Sequence, residues 1–392
     1  MHKVFLQRLA TFFLLLLLPI GCNLLFLYRS GELLAIEEIF ELQLQDSRYL
    51  YGTALHADTK QYKLAGYSKV QPQVVVLGSS TSMQMAGMFF RQPFYNLGGA
   101  MDSISDGELV VDRMLNGHRP NHILLGLDFW WFNSQFKQAK YGLNIDQEKA
   151  RLASLRPLLE PFKWIRDGKV SLKEYFNIIL SPDPFLLGIA AQKRQTGFLE
   201  DGSYVYTSTI VGEEEGGDIQ FEGTLRRMQE ERSRFEQGEY ANDTHISHFI
   251  ALVRRLRENG VDVTVYMPPL APTVYDELMR RIGDYKYIAD IKDRLKGDGI
   301  EILDLQNPYL LQSGACEFVD GFHGGDITNA RVLLAIDQWR VSQSLPALGR
   351  TDLLHALISK NSGHAMLRER TVVPGQEVDF LKIGCDKKIP GE

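Results

Sequence analysis

Three side chains suited to acyl-transfer chemistry lie in two separate stretches of this 392-residue sequence. The first stretch, QPQVVVLGSSTSMQ (71–84), is an apolar run that ends in a glycine followed by Ser79 and Ser80. The second stretch, DGFH, contains Asp320 and His323. A histidine can remove the proton of a serine hydroxyl, and a carboxylate can fix the tautomer of that histidine. Together these residue types form the minimum set for nucleophilic acyl transfer.

Apolar runs alternate with helix-compatible stretches along most of the chain. The five predicted strands are QVVVLG (73–78), FYNLGGAMD (94–102), HILLGLDFWWF (122–132), VDVTVYMPP (261–269) and GIEILDL (299–305). Helices are predicted for ISDGELVVDRMLNG (104–117), for ISHFIALVRRLRENG (246–260) and from about Thr81 onward. Strands that are apolar throughout and alternate with helices indicate a parallel sheet covered on both faces. The sequence therefore predicts an α/β three-layer sandwich with a parallel five-stranded sheet.

Polar residues and glycines follow the first three predicted strands at the points where these strands end. In chain order they are Gly78, Ser79, Ser80, Asn96, Gly98, Gly99 and Asp128. Because ligands of open parallel sheets bind at the carboxyl ends of the strands, we expect this group to lie beside Asp320 and His323. Glycines next to a nucleophile let backbone N–H groups approach a developing oxyanion. The predicted helix near Thr81 would add partial positive charge at its N-terminus.

Composition argues against several other classes of function. The formal net charge of -6 and the lack of a Lys/Arg-rich run provide no basic surface for nucleic acid. Cys22, Cys316 and Cys385 include no CxxC pair, so no zinc site is predicted. His245 and His248 have helical i,i+3 spacing, but the sequence offers no acidic or cysteine partner nearby. We predict no metal and no cofactor, and we leave open whether Cys316 and Cys385 form a disulfide.

The first thirty residues have the pattern of a membrane anchor. The segment Leu9–Tyr28 contains no charged side chain and is long enough to span a bilayer as a helix. Lys3 and Arg8 precede it, whereas four glutamates and the single basic residue Arg29 follow closely. The charge asymmetry predicts one pass through the inner (cytoplasmic) membrane, with the remaining chain in the periplasm or outside the cell. A cleaved signal peptide and lipidation at Cys22 are the alternatives.

The sequence divides into five predicted regions. They are an N-terminal membrane anchor (1–29), a helical connector (30–70), a sheet domain in two parts (71–133 and 246–345), a helical or irregular insertion (134–245) and an irregular C-terminal tail (346–392). We expect the insertion to cover the carboxyl edge of the sheet. Within it, the charged run RRMQEERSRFEQ (226–237) is typical of the solvated face of a helix.

Three motifs, in this order along the chain, resemble those of the SGNH (GDSL-type) hydrolase and acyltransferase superfamily. VVVLGSSTS is similar to the first block of a membrane-anchored branch that has Gly-Ser-Ser in place of Gly-Asp-Ser, which implies that Ser80 is the nucleophile. YNLGGAMD is similar to the second block and implies that Gly98 and its neighbours donate to the oxyanion. DGFH is similar to the last block and implies that Asp320 and His323 complete a catalytic triad in a flavodoxin-like fold.

One block departs from the pattern of that superfamily, although the resemblance covers roughly residues 70–133 and 246–340. The third block usually reads Gly-x-Asn-Asp, in which the asparagine donates to the oxyanion. This chain has GLDF, which places Asp128 at that position, and an ionised carboxylate can only accept hydrogen bonds. The donors that could replace the asparagine are backbone amides, Asn96, Asn133 and the indole of Trp130.

The resemblance implies an extracytoplasmic O-acyltransferase that modifies a cell-envelope or exported polysaccharide. Its expected partners are a membrane-bound O-acyltransferase, the membrane itself and a glycan or acyl-ester substrate, with no nucleic acid. Because transferases and esterases of this type share their catalytic residues, an esterase or lipase that uses water as acceptor is the first alternative. The second alternative is a non-catalytic assembly subunit that retains the fold, a hypothesis that Asp128 favours.

Each motif also has a purely structural interpretation. A Gly-Ser-Ser turn can simply end a strand, and DFWWFN (128–133) is more typical of a core or a cleft wall than of a sugar-stacking platform. The Asp-x-x-His spacing occurs a second time in DLLH, from Asp352 to His355. That copy lies in an apolar helical pattern beyond the last predicted strand. We therefore prefer DGFH as the catalytic motif.

Overall fold

The computed structural model of the protein describes residues 2–55, 59–138, 154–212, 218–370 and 376–388. The chain forms two compact units, one from residues 1–58 and 144–197 and the other from residues 59–143 and 198–392. This division differs from the predicted regions, because the predicted insertion contributes to both units. Parts of that insertion (139–153 and 213–217) and of the predicted tail (371–375 and 389–392) lie outside the described residues.

Helices and strands alternate along the described chain. The helices are α1 (His2–Arg29), α2 (Ile36–Gln45), α3 (Thr59–Val70), α4 (Ile104–Leu115), α5 (Glu160–Arg166), α6 (Leu172–Leu180), α7 (Ile189–Arg194), α8 (Thr207–Ile210), α9 (Glu222–Gln229), α10 (Asp243–Glu258), α11 (Pro272–Arg280), α12 (Tyr287–Gly297), α13 (Asp326–Ser342) and α14 (Thr351–Asn361). The strands are β1 (Leu50–Tyr51), β2 (Val74–Gly78), β3 (Phe94–Gly98), β4 (His122–Gly126), β5 (Leu186–Leu187), β6 (Thr196–Phe198), β7 (Tyr204–Tyr206), β8 (Asp262–Met267) and β9 (Ile302–Asp304).

A five-stranded sheet in the order β3-β2-β4-β8-β9 forms the centre of the second unit. All of its neighbouring strands pair in parallel, and Val74 of β2 is in register with Phe94 of β3 and His122 of β4. Numbered by the five strands themselves, the order is 2-1-3-4-5, which is an order of doubly wound α/β sheets. The predicted α/β fold with a five-stranded parallel sheet is confirmed, and the strand order reverses between β2 and β4.

The strands of this sheet are mainly apolar because the sheet is covered on both faces. Successive side chains of a strand point to opposite faces, and every residue of β2 is buried. On one face, Val74 and Val76 pack in a cluster with Ile327 and Leu333 of α13. Burying a valine or leucine side chain stabilises a fold by about 1.5–3 kcal/mol, so an alternating polar pattern would be costly here.

The segment after β2 differs from the helix that the sequence predicts near Thr81. It contains two single turns of 3-10 helix, Ser80–Ser82 and Gly87–Phe89, separated by an irregular stretch. The cause is the buried side chain of Asn96, whose Nδ2 donates to the carbonyl oxygens of Ser82 (2.9 Å), Met83 (3.2 Å) and Met85 (2.8 Å). Since a longer helix needs these carbonyl groups for its own hydrogen bonds, the side chain ends it.

The predicted tail is more ordered than the sequence suggests. Helix α14 packs against α13, and Leu354 and Leu357 belong to the core of the unit. Farther along, Cys385 forms a disulfide with Cys316, which settles the pairing that the sequence left open. Lys387 donates to the carbonyl oxygen of Cys316 (2.8 Å), so the tail contacts the segment that precedes the DGFH motif. Sequence patterns missed this order because it depends on side chains that are far apart along the chain.

The first unit contains α1, the apolar helix that the sequence predicts. Its segment Lys3–Arg29 is long and apolar enough to cross a membrane. Strands β1 and β5 pair in parallel, with Leu50 opposite Leu186. The first part of the predicted helical connector contains α2 in this unit, and α3 lies in the second unit. The predicted apolar N-terminal helix is therefore confirmed.

Removing the disulfide with the double change Cys316→Ser and Cys385→Ser should destabilise the second unit. The bond links residues 69 positions apart, and the chain-entropy model assigns about 4 kcal/mol to a loop of that size. We expect the free energy of unfolding, measured by chemical denaturation, to fall by an amount of this order. The control is Cys22→Ser, because Cys22 is a free cysteine. Equal unfolding free energies for the double variant and the wild type would contradict a stabilising role for the disulfide.

Candidate active site

The turn after β2 separates two adjacent serines into different environments. Ser79 is buried, and its Oγ accepts a hydrogen bond from the backbone N–H of Thr81 (3.2 Å), as an N-cap residue does. Ser80 opens the 3-10 turn and is half-buried. Its hydroxyl therefore faces a site that substrate could reach, whereas Ser79 serves the turn itself.

The DGFH motif forms a tight loop whose backbone is fixed at both ends. Val319 N donates to the carbonyl oxygen of His323 (2.8 Å), and Phe318 and Gly324 form an antiparallel bridge. Within the loop, Asp320 Oδ1 accepts from the backbone N–H groups of Phe322 (2.9 Å) and His323 (2.8 Å). These bonds hold the carboxyl group of Asp320 beside the imidazole ring.

The structure brings Ser80, His323 and Asp320 into one chain of hydrogen bonds. Ser80 Oγ lies 2.8 Å from His323 Nε2, and His323 Nδ1 lies 2.6 Å from Asp320 Oδ2. With the proton of the neutral ring on Nδ1, this nitrogen donates to the carboxylate and Nε2 accepts from the serine hydroxyl. The arrangement can therefore remove the serine proton and stabilise the imidazolium ion that results.

The electrostatics of Asp320 keep its carboxyl group ionised. Burial alone would raise the pKa of this group, but the charge of His323 and the hydrogen bonds from His323 and from the Phe322 N–H lower it below its usual range. About a quarter of the Asp320 side chain is exposed to solvent. An ionised carboxylate at this position stabilises the imidazolium form of His323.

The predicted oxyanion donors are already engaged in hydrogen bonds inside the fold. Gly98 N donates to Asn96 Oδ1 (2.6 Å), and Gly99 N donates to the carbonyl oxygen of Gly78 (3.0 Å). The amide of Asn96 is used by the turn after β2, and Asn133 Nδ2 donates to two backbone carbonyl groups. The structure therefore places Asn96, Gly98 and Gly99 beside the turn but offers none of these groups as a free donor.

The backbone N–H of Ser80 remains as a candidate oxyanion donor. Within the described part of the chain, no group accepts a hydrogen bond from it. In serine acyl transfer, the N–H of the nucleophile residue itself can point at the oxyanion. The geometry supports this donor.

Asp128 follows β4 at the edge of the sheet, next to the turn that carries Ser80. Its side chain is 2 % exposed, and Oδ1 accepts a hydrogen bond from the hydroxyl of Thr81 (3.2 Å). Within the described chain, Oδ2 is buried and has no hydrogen-bond partner. Burial raises the pKa of Asp128 to about 6, although hydrogen bonds from Ser79 and Thr81 and the charge of Arg234 oppose the shift. At pH 7 this carboxyl group is therefore mostly ionised, with a protonated fraction that grows as the pH falls towards 6.

A small cleft adjoins these residues. Asp128, Trp130 and Phe322 line it together with Pro268 and Leu270. The neighbours of Trp130 in the DFWWFN segment are buried, so this segment forms core and cleft wall. This agrees with the structural interpretation of the segment rather than with a sugar-stacking platform. The cleft is mainly apolar, with the carboxyl group of Asp128 as its charged side chain.

The rival motifs lie away from this arrangement. Asp352 and His355 are both exposed on α14, which leaves DGFH as the Asp-x-x-His motif that contacts a serine. His248 pairs with Glu108 (2.7 Å) on the surface. Within the described residues, no group of three or more His, Cys, Asp or Glu side chains could hold a metal ion.

Two further residues contact the site, and sequence patterns did not single them out. The ring of Tyr206 in β7 lies 6.4 Å from the imidazole of His323. The guanidinium of Arg234 lies over the rings of Trp130 (5.3 Å) and Phe322 (5.0 Å). Arg234 belongs to the charged run predicted to be a helix face, but α9 ends at Gln229 and the rest of the run is a loop. The prediction of one solvated helix is wrong for that second half.

No model of a known protein family matches the chain, and no curated protein matches it. What the site can do therefore follows from its geometry. A half-buried serine, a histidine within hydrogen-bond distance and an ionised aspartate stand beside an apolar cleft. They lie at the carboxyl edge of the sheet, where β2 and β4 flank the reversal of strand order.

Asp128→Asn should change how stability depends on pH. Because the folded state raises the pKa of Asp128 from 3.8 to about 6, it holds the proton more tightly than the unfolded state does. The contribution of Asp128 to the unfolding free energy is full below pH 4 and declines as the pH rises through 6, by about 3 kcal/mol. Asparagine removes this decline, so the variant should gain stability relative to wild type between pH 4 and pH 7.

The measurement is chemical denaturation of both proteins at several pH values across that window. Taking the difference between the two proteins cancels the titration of other carboxyl groups, such as Asp326, whose pKa burial also raises to about 6. A difference that stays constant from pH 4 to pH 7 would show that Asp128 titrates normally.

Proposed function

We propose that the protein is a membrane-anchored, serine-dependent acyl-transfer enzyme of the SGNH type, with Ser80 as its nucleophile. The observation that carries the proposal is the continuous hydrogen-bonded series from Ser80 through His323 to Asp320. Each of the three residues comes from a motif that resembles a block of that superfamily. The strand order 2-1-3-4-5 supports the same proposal, because flavodoxin-like sheets bind ligands where their strand order reverses.

The proposed reaction begins when His323 Nε2 takes the proton of the Ser80 hydroxyl. Ser80 Oγ then attacks the carbonyl carbon of an acyl ester, and the negative charge of the tetrahedral intermediate moves to the former carbonyl oxygen. Collapse of this intermediate breaks the bond to the leaving alcohol, which receives the proton from His323. An acceptor hydroxyl next attacks the acyl-enzyme with His323 as base, and Ser80 is regenerated with its proton.

The oxyanion in this mechanism needs hydrogen-bond donors, each worth roughly 3 kcal/mol in comparable sites. The Ser80 N–H supplies one. Asp128 stands where the resemblance places an asparagine, and a protonated carboxyl group can donate a hydrogen bond as an amide does. Its pKa of about 6 makes this protonated form accessible near neutral pH. The departure at the third block is therefore compatible with catalysis.

The acceptor we propose is a hydroxyl group of a cell-envelope or exported polysaccharide. The acyl donor would reach the enzyme from a membrane-bound O-acyltransferase partner, with the enzyme held at the inner membrane by α1 and exposed to the periplasm or the cell exterior. The apolar helix and the charges that flank it support this location. Hydrolysis is the second candidate, favoured by the partial exposure of Ser80, since water can then serve as acceptor.

Ser80→Ala should abolish covalent labelling of the purified protein by a fluorophosphonate probe, because the probe reacts with an activated serine hydroxyl. Ser79→Ala is the matched control, since Ser79 caps the turn and its hydroxyl is buried. Its loss should cost about 1 kcal/mol of stability and leave much of the labelling. Labelling that survives Ser80→Ala would refute the assignment of the nucleophile.

Asp320→Asn should leave the protein folded but reduce turnover of a p-nitrophenyl ester by several orders of magnitude. The reason is that an asparagine stabilises the wrong tautomer of His323, a change that costs ~10⁴ in a well-studied serine protease. Asp352→Asn, in the second Asp-x-x-His motif, is the control and should be kinetically silent. Turnover and melting temperature are measured for both variants. A stable Asp320→Asn protein with full turnover would rule out the triad.

A further inference from the structure

The loop that follows α9 holds its backbone in a strained conformation beside the site. Glu231, Ser233 and Arg234 all have positive φ angles (52°, 54° and 91°), a region that side chains other than glycine rarely adopt. Such strain persists where the surrounding structure enforces it, and it occurs most often at functional sites. In this loop the enforcing contacts come from Tyr285, whose hydroxyl donates to the carbonyl oxygen of Phe235 (3.1 Å), and from the Asn133 amide.

The strained loop places a cation on the aromatic wall next to His323. The Arg234 guanidinium lies over Trp130 and Phe322, and a second guanidinium, from Arg227 in α9, lies 5.6 Å from the centre of the same Phe322 ring. Phe322 directly precedes His323, and the two rings pack at a tilted angle with 4.5 Å between their centres. Two guanidinium groups therefore lie over the ring of Phe322 at the edge of the site.

Neither guanidinium forms an ion pair with a carboxylate among the described residues. Several other arginines of the second unit pair closely with acids, for example Arg331 with Glu317 (2.9 Å) and Arg370 with Asp326. Asp128 is the acid that the charge of Arg234 influences, but its carboxyl group lies too far away for an ion pair. Two guanidinium groups gathered on one ring, with no ion pair among the described residues, indicate a place for an anionic group of a ligand.

We propose that Arg234 and Arg227 form a subsite for a negatively charged group, a carboxylate or a phosphate, on the substrate that reacts at Ser80. That the bound substrate reacts at Ser80 rests on the proposed function. That the two arginines bind an anion does not. The planar guanidinium groups would hold the anion by paired N–H donors, and the rings of Trp130 and Phe322 would hold the guanidinium groups in place by cation–π contacts.

The test is isothermal calorimetry on the full chain with three probes of similar length: an oligogalacturonate, an oligomer of glycerol phosphate and a neutral cello-oligosaccharide. We expect an anionic probe to bind at least tenfold more tightly than the neutral one, and salt to weaken that binding. Arg234→Gln and Arg227→Gln should each reduce the preference about tenfold. Arg232→Gln is the control in the same loop, because Arg232 pairs with Glu230 on the surface.

The outcomes separate this inference from the proposed function. A carboxylate preference or a phosphate preference that disappears in Arg234→Gln supports the subsite and identifies its ligand. Equal affinity for all three probes, or a preference unchanged in Arg234→Gln and Arg227→Gln, overturns the subsite even where Ser80 reacts with the fluorophosphonate. Anion binding by Ser80→Ala protein, measured in the same way, supports the subsite independently of catalysis.

A different observation, confined to the first unit, concerns the C-terminal part of α1. Asn23 is buried, donates to the carbonyl oxygen of Leu158 (2.7 Å) and accepts from the hydroxyl of Tyr175 (2.8 Å). Phe26 stacks on Tyr175 with 4.5 Å between ring centres and lies near Trp164. Residues 154–180, which contain α5 and α6, thus surround this end of the helix and are named the collar.

The collar exposes apolar side chains on its outer surface. On α6 these side chains lie four residues apart on one face, and those before α6 have a similar spacing. The exposed apolar side chains are Leu155 (78 % exposed), Leu159 (51 %), Phe162 (42 %), Leu172 (60 %), Phe176 (52 %) and Leu180 (75 %). Soluble surfaces rarely gather so many large apolar side chains, and such patches mark contacts with a protein or a membrane. Exposed lysines, including Lys163 and Lys173, alternate with them.

The length of α1 indicates what covers this surface. Packing against the collar begins at about Cys22, which leaves residues 3–21 of the helix outside it. At 1.5 Å per residue that part is roughly 28 Å long, close to the ~30 Å thickness of a bilayer's hydrocarbon core. A helix that spans the core would therefore hold the collar at the membrane surface.

We infer that the collar lies in the lipid interface, with the apolar face of α6 inserted among the acyl chains next to α1. This inference rests on the membrane placement of α1 proposed above. Alternation of leucine and phenylalanine with lysine is typical of helices that lie in that interface. The second unit is then tethered by a helix and by a surface that rests on the lipid.

Nitroxide labels on the full chain in phospholipid nanodiscs test this inference. In a Cys22→Ser background, single labels are introduced by Phe12→Cys, Phe176→Cys, Leu180→Cys and, as an aqueous control, Glu37→Cys on α2. Depth follows from the relative collision rates with oxygen and a water-soluble nickel chelate. We expect position 12 in the hydrocarbon, positions 176 and 180 at the headgroup boundary, and position 37 in water.

Each other pattern of depths contradicts a defined part of the inference. If the label at position 12 lies in lipid but the labels at 176 and 180 lie in water, the membrane contact of the collar is overturned and the membrane placement of α1 is supported. Labels at 176 and 180 that are immobilised and shielded from both reagents show a protein partner instead of lipid, which also overturns the collar. A label at 12 in water overturns the anchor and the collar together.

Discussion

The buried side chain of Asn96 is the constraint on which the arrangement of the site depends. Its Nδ2 holds three carbonyl groups of the turn after β2, and its Oδ1 accepts from Gly98 N. These bonds satisfy backbone groups that would otherwise be buried without partners, a state that costs about 1–3 kcal/mol for each group. They also stop a helix from forming and turn the chain sharply after Ser80. Ser80, the proposed nucleophile, therefore stands at the tip of a fixed turn, within hydrogen-bond distance of His323.

The elements that depend on local patterns were predictable from the sequence, and those that depend on distant side chains were not. Val74–Gly78 is a buried strand because its residues are apolar and β-branched, and the periodic segment around Ile104–Leu115 is a helix. The turn after Ser80 depends on Asn96, and the loop of Arg234 depends on Asn133 and Tyr285, so composition and periodicity gave no signal for either. The residues of the proposed triad were visible as motifs, whereas the hydrogen bond that already occupies the Gly98 N–H could be seen only in the structure.

The two carboxyl groups nearest to Ser80 show how environment sets chemistry. Asp320 receives two backbone N–H bonds and faces an imidazole, and its pKa is lowered. Asp128 is more completely buried, keeps one oxygen without a hydrogen-bond partner and has a raised pKa. Separating the pKa values of two nearby acids is a general way to assign them different roles. Here the lowered pKa keeps Asp320 ionised beside His323, whereas the raised pKa of Asp128 leaves part of its carboxyl group protonated near neutral pH.

The site combines three segments, and each is held by a network of its own. Asn96 fixes the turn of Ser80, the hydrogen bonds within the DGFH loop fix His323, and the disulfide at Cys316 ties the preceding segment to the tail. The strained backbone at Arg234 is held separately, through Tyr285 and Asn133. Because these networks share no side chain, a change in one should leave the geometry of the others intact. Such independence would allow the loop of Arg234 to vary while Ser80 and His323 keep their distance.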